Sequence, residues 1–479
     1  MNTMIRTLSV TALTAALAAC AVGPDYVRPS APTPVAFKEA PQGWQAAQPG
    51  DGTARGAWWT VYGDKDLDDL MAQVAINNQN LKAYAAAYRQ ATAVVAEARS
   101  GYSPTVALSP TATRQRSSST TGAATTRSSR SVELSGSWEP DLWGKVRRQV
   151  ESDKAAAQAS AAELADLTLS AQAELVTDYM ELRYQDSLAQ LLDETTKAYE
   201  RSLTITQNQY TAGTVSRADV ITAQTQLATA RASAIATGQL RAQYEHAIAL
   251  LVGKPPSEVS IAVRPLAITL PEVPGIVPST LLQRRPDIAE AERTMQQQNA
   301  LIGVAQAAWY PTLSLTGEAG YSGLGKLFSA SNAIWSLAAS ASETLIDGGA
   351  RSAQVAAARA SYDQSVANYR QTVLAAFQDV EDELSSIRVL GNQAVAQDDA
   401  LRLARQAETV ARNEYQAGTV DYTTVVTAQA TALSNAQASL QVRRDRLLAS
   451  ASLIRALGGG WSDADLPLAD AKPRGAAQP

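Results

Sequence analysis

The sequence predicts a mainly helical α+β membrane protein built from two tandem copies of one unit, each copy donating two amphipathic strands. Three observations predict it. First, Asn208, Tyr210, Ala212-Gly213-Thr214-Val215 and Thr222-Ala223-Gln224 recur at a constant offset of 205 residues as Asn413, Tyr415, Ala417-Gly418-Thr419-Val420 and Thr427-Ala428-Gln429. Second, Pro is absent from Asp141 to Lys254 and from Thr312 to Leu466, stretches that carry long helical periodicity. Third, two segments in each copy alternate apolar and polar residues.

Composition narrows the function classes. The 479 residues include one Cys and one His, which excludes a disulfide framework, a thiolate metal cage and the usual His-based acid–base or metal sites. No nucleophile, base and orienting group fall into a set, so nothing suggests catalysis. A formal net charge of −5 argues against nucleic-acid binding. Roughly one residue in five is Ala and only three are Phe, as suits helices packed at close range.

Residues 1–19 read as an export signal, with Arg6 in a positive start and a stretch from Leu8 to Ala19 too short to span a bilayer. Leu17-Ala18-Ala19 before Cys20 has the form of a lipobox, in which Cys20 becomes the acylated first residue. The alternative is an ordinary signal with an incidental Cys. Ala21, in place of an Asp, favours the outer membrane over inner-membrane retention. Residues 20–64 form a lipidated N-terminal segment. No later segment is long and apolar enough for a transmembrane helix.

Unit one spans 65–252: a helix, a β-hairpin over 102–138, a long helix over 144–210 and a returning helix over 216–252. Unit two spans 281–457: a helix, a hairpin over 311–345, a long helix over 349–415 and a returning helix over 421–457. A Pro-rich linker, 253–280, joins them, and 458–479 is a tail. Each long helix would reach ~100 Å. Tyr362, Val366, Tyr369, Val373, Phe377, Val380, Leu384 and Ile387 form a coiled-coil seam, with Leu175, Tyr179 and Leu182 as counterparts in unit one. Gly213 and Gly418 sit where a left-handed C-cap is expected, so each long helix turns at an Ala-Gly-Thr-Val tip. Ser216 or Arg217, and Asp421 or Tyr422, open the returning helices.

In the hairpins, Leu313, Leu315, Gly317, Ala319 and Tyr321 alternate with Thr312, Ser314, Thr316, Glu318 and Gly320, and the other three strands follow suit. Strands with one apolar face, one polar face and aromatic ends fit a transmembrane β-barrel whose lumen is wet. On that reading Glu133 and Glu318 face the lumen, giving mild cation preference. Gln115–Arg130, rich in Ser, Thr and Arg, reads as a solvated loop. The alternative, a sheet on a soluble core, would need a large apolar helical face to cover it. Four strands cannot close a barrel, and open edges are forbidden in lipid, so several chains must share one.

These pieces resemble the outer-membrane factor family, the TolC/OprM-like channels of tripartite efflux pumps, in its nodulation-protein-T-like lipoprotein branch. The resemblance rests on Cys20-Ala21-Val22-Gly23-Pro24-Asp25-Tyr26 with Arg28-Pro29, on Trp58-Trp59 with Tyr62, Asp64, Leu67 and Leu70, and on Trp138-Glu139-Pro140-Asp141-Leu142-Trp143-Gly144. It also rests on Leu281-Leu282-Gln283-Arg284-Arg285-Pro286-Asp287 with Ala291-Glu292, Asn299-Ala300 and Ile302-Gly303, and on the two tips. It implies a homotrimer with a 12-stranded barrel, four strands per chain, continuous with a periplasmic α-helical barrel. The linker and termini would form an equatorial belt. It implies a passive exit duct for drugs, toxic compounds or metal ions in the outer membrane. Its partners would be a periplasmic adaptor at the tips (Gly213, Thr214, Gly418, Thr419) and an inner-membrane pump of the proton-driven RND type. No cofactor is implied beyond the covalent lipid, and no catalytic or metal residue.

The resemblance also implies a gate at the tips. Asp219 and Tyr415 match a pair that bonds in closed relatives. Two positions depart from the pattern: Glu414 stands where a basic residue is common, and Thr427 where many members carry an Asp ring. Asp421, Arg217 or Arg412 would then take part instead. His246, on a returning helix, reads as structural. Rival readings are a type I protein-secretion duct and, in another class, a periplasmic coiled-coil scaffold, which would leave the alternating segments unexplained.

Overall fold

The computed structural model describes residues 21–40, 57–119, 122–271, 283–323, 327–462, 464 and 466. Cys20 and the export signal lie outside them.

Unit one begins with α1 (Lys65–Asn77) and α2 (Gln79–Ser100), where the sequence reading expected one helix. The break is at Asn78, whose Oδ1 accepts from the backbone N–H of Asn80 and Leu81 while its Nδ2 donates to Leu251 O at 2.9 Å. The side chain thus caps a new helix and ties it to the end of the returning helix. Strands β1 (Thr105–Ser119) and β2 (Gly122–Trp138) follow, then the long helix α3 (Lys145–Thr211) and the returning helix α4 (Arg217–Leu251). Unit two repeats the order with α5 (Pro286–Ala307), β3 (Thr312–Gly323), β4 (Ala333–Ser342), α6 (Ala350–Gln416) and α7 (Tyr422–Ala456). Both long helices have 67 residues, a rise of ~100 Å.

The strands form one antiparallel sheet in the order β1-β2-β3-β4, so the two hairpins pair with each other through β2 and β3. Gln115–Arg130 is not a loop. The ladder runs from Thr105↔Ser137 to Ser117↔Thr125 and beyond it to Ser119↔Gly122. At 15 and 17 residues, β1 and β2 outrun the 9–11 needed to cross a bilayer. The added length is Ser- and Thr-rich, polar enough for water and compatible with a pleated ladder.

Two apolar cores hold the helices. One gathers Leu67, Met71, Val74, Leu175, Tyr179, Leu182 and Ile248 with Ile261, Leu266 and Ile268 of the linker and Leu447 of α7. The other packs the α6 seam, Tyr369, Val373, Phe377, Val380 and Leu384, against Ile288 and Met295 of α5, Leu453 of α7 and Phe37 of the N-terminal segment. The expected seam is therefore a buried face. The linker is held as an extended strap by buried charge. Arg183, 2% exposed, donates to Ala262 O (2.6 Å) and the Tyr179 hydroxyl (2.8 Å) and pairs with Asp66 and Asp186. Arg241 pairs with Asp186 at 2.7 Å and donates to Ile261 O.

Candidate functional site: a two-faced sheet and a helical tip

The register sorts the sheet into two faces. Residues paired across strands point the same way. One face carries Val106, Leu108 and Pro110 beside Leu134, Val132 and Trp138, then Leu313, Leu315, Ala319 and Tyr321 beside Ala341, Ala339, Leu337 and Trp335. The other carries Ser109, Glu133, Ser135, Glu318, Ser336 and Ser340. Glu133 pairs with Gly320 and Glu318 with Ser135, so the two carboxylates are diagonal neighbours on the polar face. The apolar face is bare: Leu108, Leu134, Trp335 and Leu337 are all exposed, the last at 80%. Strands β1 and β4 leave unpaired edges. Such a sheet is incomplete by itself. Closing it against further strands satisfies the edges. No described helix is long and apolar enough to cross a membrane.

At the other end the two helical hairpins meet tip to tip. Gly213 (φ 74°) and Gly418 (φ 73°) are left-handed, a conformation in which a Cβ would be strained. Thr214 N donates to Gln209 O and Thr419 N to Glu414 O, both at 3.0 Å, and the two Thr hydroxyls bond the same carbonyls. These are the expected helix-ending caps. Val215 and Val420 pack onto a cluster of Ala223, Tyr415, Tyr422 and Val425. The Tyr415 and Tyr422 rings lie 5.2 Å apart. Gln429 donates to Ser202 Oγ and accepts from Gln226, linking the hairpins further.

The expected gate residues gather here, but Asp219 and Tyr415 do not bond. Asp219 Oδ2 accepts from the backbone N–H (3.0 Å) and hydroxyl (2.9 Å) of Ser216, while Asp219 N donates to Ser216 Oγ, a reciprocal capping box at the start of α4. The sequence reading missed it, although Ser216-Arg217-Ala218-Asp219 has capping-box spacing. The Tyr415 hydroxyl, buried near Thr206, has no hydrogen bond of good geometry. Burial pushes its phenol up, and the Asp219 charge acts in the same direction. Tyr422 is pushed up to about 12, by burial first and by Tyr415 second. Asp421, the residue before α7, makes no side-chain cap, unlike Ser216 in the other repeat. Asp421 and Arg217 are exposed and form no ion pair among the described residues. Thr427 is exposed, its hydroxyl bonded to Thr423 O.

A third locus was not assembled by sequence reasoning. Residues 21–40 run back along the helices from the sheet–helix junction. Val22 N donates to Trp143 O, and Ala21 lies against Gly144. Arg148 of α3, buried, bonds Val22 O, Gly23 O and the Asp25 carboxylate. Asn299 holds Pro24 O at 3.0 Å, Tyr26 reaches Glu292, and Arg28 donates to the Tyr369 hydroxyl. Motifs read as separate signatures, Gly23 to Arg28 and Glu292 to Gly303, are thus two sides of one contact. Beside it, Trp143 stacks on Tyr310 at 4.9 Å, next to exposed Tyr102, Trp138 and Trp309. These aromatics line the helical end of the sheet, where a membrane interface belt is expected. Among the described residues no cluster of three His, Cys, Asp or Glu could hold a metal ion.

The outer membrane efflux protein family matches residues 70–254 and 277–459, one match per repeat. The chain is 31% identical over 476 residues to the probable efflux pump outer membrane protein TtgC of Pseudomonas putida, covering 96% of both chains. It is 30% identical to the cation efflux system protein CusC of Escherichia coli, covering 93% of this chain and 97% of that one. Among solved structures, the outer-membrane channel OprN superposes with a TM-score of 0.84 at 29% identity, over 92% of this chain and all of the other.

Proposed function

Because the chain belongs to the outer membrane efflux protein family, we propose that it is the outer-membrane channel of a tripartite efflux system, a passive homotrimeric duct gated at its periplasmic tips. The sheet carries this reading. Four strands with one bare apolar face, one face bearing Glu133 and Glu318, and two open edges are one third of a closed 12-stranded barrel. Helices of ~100 Å then extend as a second barrel into the periplasm. There the tips (Gly213, Thr214, Gly418, Thr419) dock an adaptor, which connects to a proton-driven inner-membrane pump. Energy comes from that pump, and the channel needs no catalysis and no cofactor. Cys20 carries the lipid anchor. Ala21 lies at the aromatic belt, so acyl chains on Cys20 would enter the membrane beside the barrel. Relatives are named for toluene efflux, cation efflux and pyoverdine export. Glu133 and Glu318 on the polar face would give the lumen a mild cation preference.

At the gate, Asp421 and Arg217 stand at neighbouring tips and form no ion pair among the described residues. In a closed ring they pair between chains, and a latch from Asp219 to Tyr415 would require Asp219 to leave its capping box with Ser216. The test is to purify the protein from outer-membrane extracts. A heat-resistant trimer with channel conductance in planar bilayers supports the duct; a water-soluble helical rod supports the scaffold alternative. Mass analysis of the mature N-terminus tests Cys20 acylation, and a free Cys20 thiol would remove the anchor.

A further inference from the structure

The long hairpin carries its charge on one side. Residues 105–132 contain four arginines, Arg114, Arg116, Arg127 and Arg130, and no acid. The register separates them. Arg127 pairs with Gln115 and shares the face of Ser131 and Glu133. Ala112↔Arg130, Arg114↔Ser128 and Arg116↔Thr126 continue the other face, that of Leu108, Leu134, Pro110 and Val132. Three arginines therefore stand on the lipid-facing side, directly beyond the apolar band. Arg130 is level with Gly323, two residues past Tyr321, which packs edge-on against Phe328 at 5.4 Å; Trp335 lies on the same face. Those aromatics mark the upper edge of the apolar band. At ~3.4 Å per residue, Arg130, Arg114 and Arg116 fall roughly 5–20 Å above it, the depth of headgroups.

Arg114 and Arg130 are diagonal neighbours, ~7–8 Å apart at the backbone. Arg114 and Arg116 are next neighbours on one face. All three are exposed, and none forms an ion pair among the described residues. Three like charges so close repel one another unless an anion lies between them, and guanidinium forks suit phosphate oxygens. We propose that Arg114, Arg116 and Arg130 form a binding surface for the phosphate groups of the outer-leaflet glycolipid, lipopolysaccharide. The occupant follows from position. The surface is continuous with the lipid-facing band and points away from the lumen, so a membrane headgroup reaches it before any solute in transit. This proposal rests on the channel reading, which sets the hairpin end outside the cell because the helices leave the sheet at its other end.

The test uses the purified full-length trimer in non-ionic detergent. Binding of lipopolysaccharide is compared with that of dephosphorylated lipid A, inorganic phosphate and phosphatidylcholine. The combined variant Arg114→Thr/Arg116→Thr/Arg130→Thr keeps β propensity, and Arg127→Thr removes the one lumen-side arginine. The expected result is that the wild type binds lipopolysaccharide in a salt-sensitive manner and the combined variant binds it roughly tenfold more weakly or worse. Dephosphorylated lipid A should match phosphatidylcholine, and Arg127→Thr should bind as the wild type does. Equal binding by wild type and combined variant, equal binding of dephosphorylated lipid A, or inorganic phosphate bound as tightly as the glycolipid would overturn it. Trimer stability and conductance are read in parallel. If both persist without lipopolysaccharide discrimination, the arginine proposal falls and the channel stands; if the wild type forms neither, both fall.

Discussion

Gly23 and Gly303 meet backbone to backbone across 280 residues of sequence, and neither position has room for a side chain. A Cβ on Gly23 would strike the Gly303 backbone; one on Gly303 would lie 2.7 Å from Arg148 Cγ and 2.9 Å from Val22 O. The N-terminal strap can approach α5 only because both residues lack a Cβ. That approach puts Val22 O and Gly23 O within reach of the Arg148 guanidinium.

Gly303→Ala should therefore loosen the strap. Overpacking of this kind costs about 1–3 kcal/mol, and Arg148 would lose its carbonyl partners. The expected outcome is a lower thermal midpoint for the purified trimer and faster proteolysis within residues 21–40. Gly391→Ala is the control, because Gly391 has open space around its Cα and should tolerate the change.

The gate separates two roles for Asp219. If it only caps α4, Ser216→Ala and Asp219→Ala should act alike, each costing about 0.5–2 kcal/mol of local helix stability. If it also latches Tyr415, Asp219→Ala combined with Tyr415→Phe should raise single-channel conductance and sensitivity to large antibiotics, whereas Ser216→Ala should not. Conductance unchanged in the double variant would count against the latch. Tyr415→Phe alone should leave the thermal midpoint unchanged or raise it, because its buried hydroxyl has no hydrogen bond to lose.

Arg183 is the buried cation on which the linker strap depends. Arg183→Ala takes one partner each from Asp66 and Asp186 and should destabilise the fold by about 3 kcal/mol, less than a wholly orphaned ion because Arg264 still pairs with Asp66 and Arg241 with Asp186. Release of Ala262 O should also expose Arg264 to trypsin. A wild-type cleavage pattern would refute that account of the strap.

Among several raised carboxyls, two make stability depend on pH most strongly. Asp178 is raised to about 7 by burial and then by Glu174 and Glu181. Glu290 is raised to about 7 by burial and then by Glu163, Asp166 and Asp287. An acid raised on folding binds its proton more tightly in the native state. Its destabilising effect is absent below the unfolded pKa near 4 and grows as pH rises to about 7. The thermal midpoint should thus rise on acidification from pH 8 to 5.5, and Asp178→Asn with Glu290→Gln should flatten the profile.

Much of this molecule is legible locally. The lengths of α3 and α6, the left-handed Gly213 and Gly418 and the shared face of Glu133 and Glu318 all follow from residues a few positions apart, because helix and strand periods repeat over short distances, and the 205-residue offset follows from identical short motifs in the two copies. The reading of Gln115–Arg130 as a loop came from polarity alone. Polarity reports solvent, and only the pairing partner tells a wet strand from a wet loop. The role of Asp219 turned on a choice between Ser216, three residues away, and Tyr415 in the other repeat. The nearer partner holds the carboxylate because the cap forms with the helix itself.

What the sequence by itself determined is the repeat, the kinds of element and the two faces of the strands within the apolar band. Tertiary structure alone decided which distant pieces touch: Gly23 on Gly303, Arg183 on the linker, and three arginines on one side of a hairpin with Arg127 on the other. The physical reason is that periodicity is written in neighbouring residues, whereas register and close approach are set only when separate elements pack and their spare hydrogen-bonding groups find one another.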